Sequence, residues 1–356
     1  MTIDPIGFDP DRFSRLAPLQ MRARYVMEGF LDGVHKSPFH GPSVEFSEYR
    51  DYQPGDDLRH VDWRLYARRD RLAVKRYEQE TNARCYLLVD TSASMAYRGE
   101  GAWDSKLGAA KVLAAALAWI LLRQGDAVGL MARGFGDSPA RGVGPRARRV
   151  RGSRRGTGQH AENQQAGHLV YLPPSRVRSR LGELLGRLRQ LETTPAPGPS
   201  SPAGEDPGSL ASLLDACAHR LHRRSLVFVA SDLLDPSEGV RRALERLRFD
   251  GHDCRILQVL DRDELELPFA EGAVLEDLET GLRRQVSTGA RRRYLSRLRT
   301  FLEDWHALLR RLEIRHTLAV TDADPARALS RLLLPPGSRI LAAETEGHGD
   351  RAEGVG

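Results

Sequence analysis

The chain has 356 residues, of which 40% are hydrophobic and 29% charged, and its formal net charge is +6. This composition is typical of a soluble globular protein. The longest apolar run, 112–122, is too short to cross a bilayer, and the N-terminus lacks the basic and apolar regions of a signal peptide. We therefore expect a cytoplasmic protein without a membrane span, whose cysteines Cys85, Cys217 and Cys254 are reduced and buried.

Hydrophobic periodicity predicts helices and strands that alternate along most of the chain. A helix is expected over 14–35, followed by an extended, turn-rich segment over 41–81. The later strands are predicted at 84–90, 127–132, 168–172, 225–231, 254–260 and 314–321. The later helices are predicted at 106–124, 175–191, 210–222, 237–249, 291–312 and 325–333. This order predicts a three-layer, doubly wound α/β fold with a mostly parallel sheet, preceded by a β-rich N-terminal segment.

Composition suggests how the chain is divided. We expect an N-terminal helix and β/turn-rich segment over 1–83, an α/β domain over 84–335, and a strand remnant with a disordered tail over 336–356. Within the α/β domain, an Arg/Gly-rich insertion at 134–167 and a Pro/Gly/Ser linker at 193–208 contain few apolar residues. Such segments are expected to be flexible.

Polar side chains follow two of the predicted buried strands. Asp90, Ser92 and Ser94 form an Asp-x-Ser-x-Ser motif after the first strand, and Asp232 follows the strand at 225–231. Ligands of open parallel sheets bind where strands give way to loops at their carboxyl ends. Hard oxygen ligands without a nearby thiolate suit Mg²⁺ or Mn²⁺. The pattern therefore predicts a divalent-metal site at this edge of the sheet.

The Asp-x-Ser-x-Ser motif resembles the metal-ion-dependent adhesion site of von Willebrand factor A domains. The resemblance implies that Ser92 and Ser94 bind the metal directly through their hydroxyls. It also implies that Asp90 and Asp232 act mainly through water or by orienting the serines, which leaves the ion free to take an acidic side chain from a partner. The alternative is that the two serines satisfy backbone groups in the loop and cap the following helix.

The resemblance is incomplete at the third hydroxyl. Adhesion-site domains usually supply a threonine from a loop before a helix between the two strands. When the sequences are matched at Leu210, that position falls on Gly208, and Ser209 is the nearest hydroxyl. Because glycine cannot bind a metal, the resemblance implies a weakened Mg²⁺ or Mn²⁺ site, a site that uses Ser209, or none.

A longer stretch resembles one bacterial family. The sequence YRDYQPGDDLRHVDWRLYARRDRLAVKRYEQE, followed by LLVDTSASM, is similar to the domain-of-unknown-function-58 family. The similarity is strong over about 40–130 and looser at 172–174 and 231–232. Members of this family are von Willebrand A-like proteins, often encoded beside MoxR-type AAA+ ATPases. The resemblance implies a non-enzymatic binding module that acts as adaptor or chaperone partner of such an ATPase or its client.

Two other functions are open to this sequence. A metal-dependent hydrolase or phosphatase would use Asp90 as nucleophile, but haloacid-dehalogenase-like phosphatases need a second Asp where Ser92 stands. Nucleic-acid binding would use the arginines of the 134–167 insertion, but no aromatic residue interleaves with them to stack on bases.

The charged segment before the first buried strand also has two interpretations. Its acidic residues Asp56, Asp57 and Asp62 alternate with arginines after a Pro-Gly turn. It is either a self-neutralised brace against the sheet edge or a docking surface for a partner.

Overall fold

A computed structural model describes residues 8–16, 18–32, 45–51, 66, 73–78, 83–134, 168–194, 209–221, 223–234 and 238–334. The helices of this part are α1 (Pro10–Ser14), α2 (Leu19–Asp32), α3 (Lys106–Arg123), α4 (Arg180–Gln190), α5 (Leu210–Arg220), α6 (Glu238–Phe249), α7 (Arg262–Glu266), α8 (Ala290–Arg311) and α9 (Pro325–Leu333). Its strands are β1 (Glu45–Asp51), β2 (Ala73–Glu78), β3 (Arg84–Val89), β4 (Ala127–Gly134), β5 (His168–Ser175), β6 (Leu226–Ser231), β7 (Asp253–Leu260), β8 (Val274–Glu276), β9 (Arg283–Gln285) and β10 (Arg315–Val320).

The central sheet has six strands in the order β10-β7-β6-β3-β4-β5. Five of them are parallel, and β5 at one edge runs antiparallel to β4. The predicted α/β fold with a mostly parallel sheet is therefore confirmed. The central strand β3 is buried from Cys85 to Val89, as expected of a continuous apolar run covered on both faces.

Side chains that alternate along β3 divide the core into two layers. Cys85, Leu87 and Val89 pack with residues of α2, α3, α4 and α9 on one face of the sheet. Tyr86 and Leu88 pack with residues of α5, α6 and α8 on the other face. The period of two along a strand thus produces the three layers: helices, sheet and helices.

Helix α3 brings a charged residue to the carboxyl ends of the strands. The Ser105 hydroxyl caps the helix by accepting a hydrogen bond from the Gly108 amide at 3.1 Å. Gly125, with φ +87°, lies just past the other end in a conformation that favours glycine. Almost all of the helix is buried in the core, so Lys106 in its first turn is buried as well.

The predicted β-rich N-terminal segment is not confirmed. Before β3, the described residues form α1, α2 and one antiparallel pair, β1 with β2. Helix α2 packs against α3, where Val26 and Phe30 are buried. The ring of Phe13 in α1 meets the ring of Trp103 edge-on, with centroids 4.9 Å apart. The N-terminal helices therefore belong to one of the two helical layers.

Most other predicted elements are present, with shifted ends. The predicted helix at 175–191 begins at Arg180, because strand β5 continues through Pro173 and Pro174 to Ser175. Proline disfavours the helical conformation in the residue that precedes it, so Pro173 and Pro174 keep this stretch extended. The three cysteines are free and buried, as predicted.

Several predictions fall on residues that the structure leaves undescribed. These are most of the 134–167 insertion and the 193–208 linker, the segment with Asp56, Asp57 and Asp62, and the C-terminal tail. Within the described ranges, no helix is long and apolar enough to cross a membrane.

The region between β7 and α8 contains elements that periodicity did not predict. The short helix α7 follows β7, and strands β8 and β9 form an antiparallel hairpin over 274–285. Its strands have three residues each, too few for a period to be recognised.

Candidate metal-binding site

The strand order produces a crevice between β3 and β6. Strands β4 and β5 continue from β3 on one side, whereas β6, β7 and β10 lie on the other. This reversal is the switch point at which open α/β sheets bind ligands, outside the carboxyl ends of the strands. Val89 pairs with Ala230, and the Asp90 amide donates a hydrogen bond to the Ala230 carbonyl at 2.9 Å. Asp90 and Ser231 therefore leave neighbouring strands side by side.

The carboxylate of Asp90 is buried, with 3% of the residue exposed. Its Oδ2 accepts a hydrogen bond from the Ser231 hydroxyl at 2.5 Å, and its Oδ1 accepts one from the Ser92 amide at 3.0 Å. Burial, followed by the negative charge of Asp232, raises the pKa of Asp90 to about 6, although these hydrogen bonds oppose the rise. A cation near both carboxylates would reduce this repulsion.

The two serine hydroxyls face each other. Ser92 Oγ lies 3.1 Å from Ser94 Oγ, and both residues are partly exposed. Ser92 stands at the N-cap position of a short 3₁₀ turn, Ala93–Ala96, but its side chain makes no capping hydrogen bond. The hydroxyl of Ser92 is thus not used to cap this turn, although a capping role was part of the alternative interpretation of the motif.

Asp232 is held by an ion pair with the buried Lys106. Asp232 Oδ2 accepts a hydrogen bond from Lys106 Nζ at 2.8 Å, and Oδ1 accepts one from the Leu234 amide at 3.0 Å. Lys106 Nζ also donates to Glu264 Oε1 at 2.6 Å. Burial opposes the charge of Lys106, but the two carboxylates outweigh it and raise its pKa. The lysine therefore stays protonated and neutralises part of the negative charge.

The backbone at the end of β6 adopts a strained conformation. Leu233 is buried and has φ +55°, in the left-handed region that non-glycine residues rarely occupy. Its amide donates a hydrogen bond to the Ser231 hydroxyl at 3.0 Å. Strain of this kind persists where the surrounding contacts hold it, and it is concentrated at functional sites.

Ser209 is placed differently from the other four predicted residues. It caps α5, and its hydroxyl accepts a hydrogen bond from the Ser212 amide at 3.3 Å. Gly208 lies outside the described residues. The structure thus brings Asp90, Ser92 and Ser94 together beside Asp232, whereas the Ser209 hydroxyl contacts the first turn of its own helix.

A different threonine comes close to the motif. The Thr194 amide donates a hydrogen bond to the Thr91 carbonyl at 2.6 Å, and the two hydroxyls lie 3.4 Å apart. The Thr91 hydroxyl also donates to the Arg133 carbonyl at 2.9 Å. The segment after α4 therefore runs along the end of β3, on the side of β4.

Sequence reasoning missed three side chains at this edge. Lys106 and Glu264 neutralise each other beside Asp232, and Glu279 accepts a hydrogen bond from the Ser94 amide at 2.8 Å. Lys106 could have been recognised because it is a charged residue in the first turn of a largely apolar helix. Glu264 and Glu279 lie 158 and 185 residues from their partners, and no local pattern marks them.

The residues present suit a divalent ion of the magnesium class. Their donors are hydroxyl and carboxylate oxygens, which such ions prefer to sulfur or imidazole ligands. Within the described residues, no group of three or more His, Cys, Asp or Glu could hold a metal ion. A site here would therefore depend on Ser92 and Ser94, with Asp90 and Asp232 behind them, rather than on a cage of carboxylates.

Comparison with known sequences gives a family match and relatives. A model of the family described as "Protein of unknown function DUF58" matches residues 48–149 and 152–301. An uncharacterized protein of Mycobacterium bovis is 29% identical over 284 residues, which cover 78% of this chain and 74% of that protein. An uncharacterized protein of Mycobacterium avium is 34% identical over 106 residues, which cover 30% of this chain and 59% of that protein.

Comparison with solved structures gives distant similarities. The conserved hypothetical protein BatB from Bacteroides thetaiotaomicron matches with a TM-score of 0.38 and 12% identity, over 70% of this chain and 97% of that one. An aerotolerance-related membrane protein from Bacteroides fragilis matches with a TM-score of 0.37 and 13% identity, over 70% of this chain and 98% of that one. Similarity at this level carries no conclusion about function.

Proposed function

Since the chain belongs to the DUF58 family, we propose that it is a non-enzymatic, metal-dependent protein-binding module with a von Willebrand A-like adhesion site. In this proposal Ser92 and Ser94 bind Mg²⁺ or Mn²⁺ through their hydroxyls. Asp90 and Asp232 orient the site and supply negative charge, and Ser209 remains a candidate for the third hydroxyl. The partner donates an Asp or Glu side chain to the ion.

One observation carries the proposal: the pair of serine hydroxyls, 3.1 Å apart, at the switch point of the sheet. The hydroxyl of Ser92 makes no capping bond. Two buried carboxylates lie behind the pair and have other partners, namely Ser231 for Asp90 and Lys106 for Asp232. Neutral hydroxyl ligands in front of such carboxylates would leave an ion electrophilic enough to take a further carboxylate.

The proposed partner is a MoxR-type AAA+ ATPase or its client. The sequence contains no Gly-x-x-x-x-Gly-Lys-Ser/Thr motif, so ATP hydrolysis in such a complex would come from the partner. With a MoxR-type ATPase from the same genome as the probe, binding should require Mg²⁺. It should also be lost in a Ser92→Ala variant.

A phosphatase that uses Asp90 is the second candidate, because Lys106 Nζ reaches this edge of the sheet. That lysine is bound to two carboxylates rather than directed at a substrate. Asp90 is buried with a raised pKa, which disfavours its action as a nucleophile. Hydrolysis of p-nitrophenyl phosphate that Asp90→Asn abolishes would favour this candidate over the binding module.

Calorimetric titration with Mg²⁺ and Mn²⁺ tests the metal site directly. Wild type and an Asp263→Asn control should bind saturably, whereas Ser92→Ala should lose at least about tenfold in affinity. Asp263 is a suitable control because it lies at the same sheet edge but accepts a hydrogen bond from the Tyr97 hydroxyl at 2.9 Å. Absence of binding in folded wild type, or equal binding by Ser92→Ala, would contradict the proposal.

A further inference from the structure

The hairpin over 274–285 brings an acidic side chain to the serine motif. Glu279 Oε1 accepts a hydrogen bond from the Ser94 amide at 2.8 Å, across 185 residues of chain. The hairpin tip therefore contacts the serine motif of the proposed site.

The tip of the hairpin is ordered so that Glu279 points to the site. Asp277 Oδ1 accepts hydrogen bonds from the Glu279 amide at 2.8 Å and from the Thr280 amide at 3.2 Å. Burial opposes ionisation of Asp277, but these donors outweigh it and lower its pKa. Gly281 completes the turn with φ +68°. Glu279 is partly buried, whereas its neighbours Leu278 and Thr280 are exposed.

Backbone hydrogen bonds and the ion pair of Glu276 with Arg283 hold this hairpin together, but few of its side chains are buried. All three residues of β9 are exposed, and the apolar side chains of Val274, Leu278 and Leu282 are 63%, 40% and 57% exposed. The base is held by a hydrogen bond from the Gly272 amide to the carbonyl of the buried Val286 at 2.8 Å. A two-stranded hairpin is marginally stable by itself in water, and Glu279 adds a contact between its tip and the serine motif.

We infer that Glu279 is an intramolecular carboxylate ligand of the cation at the Ser92–Ser94 position. The inference rests on the proposed function, because it concerns the same ion. A carboxylate has two oxygens, and the hydrogen bond from Ser94 uses one of them. In this inference, the other oxygen binds the ion that the neighbouring hydroxyls hold.

The experiment compares wild type with Glu279→Gln and with a Glu276→Gln control. Glu276 lies in the same hairpin and pairs with Arg283 at 2.9 Å, exposed to solvent, so the control removes one charge without touching the site. Mn²⁺ is the probe, and three quantities are measured. These are its affinity by calorimetry, the water-proton relaxivity of bound Mn²⁺, and hydrogen exchange of the hairpin amides with and without Mn²⁺.

Wild type and Glu276→Gln should bind Mn²⁺ equally, and Mn²⁺ should slow amide exchange in the hairpin of both. Glu279→Gln should bind about tenfold more weakly. Its bound Mn²⁺ should show higher relaxivity because water replaces the carboxylate, and Mn²⁺ should no longer protect the hairpin.

Two results would overturn the inference. If Glu279→Gln binds Mn²⁺ as tightly as wild type or more tightly, with unchanged relaxivity and exchange, Glu279 is not a ligand, while the proposed metal site stands. If none of the three proteins binds Mn²⁺, the metal site fails and the inference fails with it. Circular dichroism and thermal unfolding confirm that each variant is folded before titration.

Discussion

The two strand ends that meet at the switch point are built in different ways. At the end of β3, the hydroxyls of Ser92 and Ser94 are partly exposed and contact each other. At the end of β6, the Ser231 hydroxyl and the Asp232 carboxylate are buried, and both are bonded to other protein groups. In the proposed function, these are separate tasks: the β3 end binds the ligand and the β6 end supports it.

A second layer of contacts stabilises the β6 end. Gln258, fully buried in β7, donates a hydrogen bond from Nε2 to the Asp232 carbonyl at 2.9 Å. Its Oε1 lies 2.9 Å from His316 Nε2. Because the amide oxygen can only accept, His316 must carry its proton on Nε2. The contacts that support the end of β6 therefore extend to β7 and β10. The described contacts of the two serine hydroxyls, in contrast, are with residues of the motif itself.

The largest expected effect is that of Lys106→Met. Removal of the ammonium leaves Asp232 and Glu264 without their buried counter-charge, so the free energy of unfolding should fall by about 3–5 kcal/mol. Lys111→Met is the matched control in the same helix, since the Lys111 ammonium donates to the Leu191 carbonyl rather than to a carboxylate. It should cost about 1 kcal/mol. Urea unfolding measures both.

The same test has an internal check. Adding Glu264→Gln to Lys106→Met should restore part of the loss, because it removes one of the two uncompensated charges. Equal stabilities of Lys106→Met and Lys111→Met would show that the ion pair is not what supports the β6 end.

Ser231→Ala and Ser92→Ala test whether the hydroxyls at the ends of β6 and β3 contribute differently to stability. Ser231→Ala removes a buried hydroxyl and leaves Asp90 Oδ2 and the Leu233 amide unpaired, so stability should fall by about 2 kcal/mol. Ser92→Ala removes a partly exposed hydroxyl that contacts Ser94 and donates a hydrogen bond to Asp90, which keeps its other hydrogen bonds, so stability should change by less than about 1 kcal/mol. Denaturant unfolding without metal measures both, and similar losses would refute the division of tasks.

The smallest expected effect is on the pH dependence of stability. Burial, followed by the nearby His306, lowers the pKa of His316 from 6.5 to about 4. The folded state then binds fewer protons than the unfolded state between these values. Through His316, stability should therefore fall as the pH drops from about 6.5 toward 4, by about 1–2 kcal/mol near pH 5. Asp90 opposes this fall, because its pKa is raised to about 6 and the folded state binds its proton more readily than the unfolded state. The net fall near pH 5 should therefore be less than about 1 kcal/mol. Unfolding free energies measured from pH 7 to 4.5 show the slope.

A His316→Gln variant should lose the contribution of His316, so its stability should fall less than that of wild type over this pH range, or rise. The buried His252 also has a lowered pKa, again because of burial, and its contribution to the slope has the same sign as that of His316. If the slope of His316→Gln equals that of wild type, His316 is not the group that titrates.

Much of the architecture was predictable because buried strands and amphipathic helices are local patterns. The apolar run before Asp90 predicted β3, and the predicted helix at 106–124 matches α3 to within one residue. In the N-terminal region, a helix was predicted over 14–35, and α2 lies within these bounds. The packing of α1 and α2 into the core beside α3 was not predicted, because residues 1–83 were expected to form a separate segment.

By itself, the sequence determined which polar residues follow the buried strands, and hence that Asp90, Ser92, Ser94 and Asp232 lie at one sheet edge. It could do so because the end of a strand is a local feature, and parallel strands end on the same side. Only the tertiary structure decided that the Ser92 and Ser94 hydroxyls face each other, and which distant groups meet them. Contacts across 158 and 185 residues arise from packing, which no local pattern encodes.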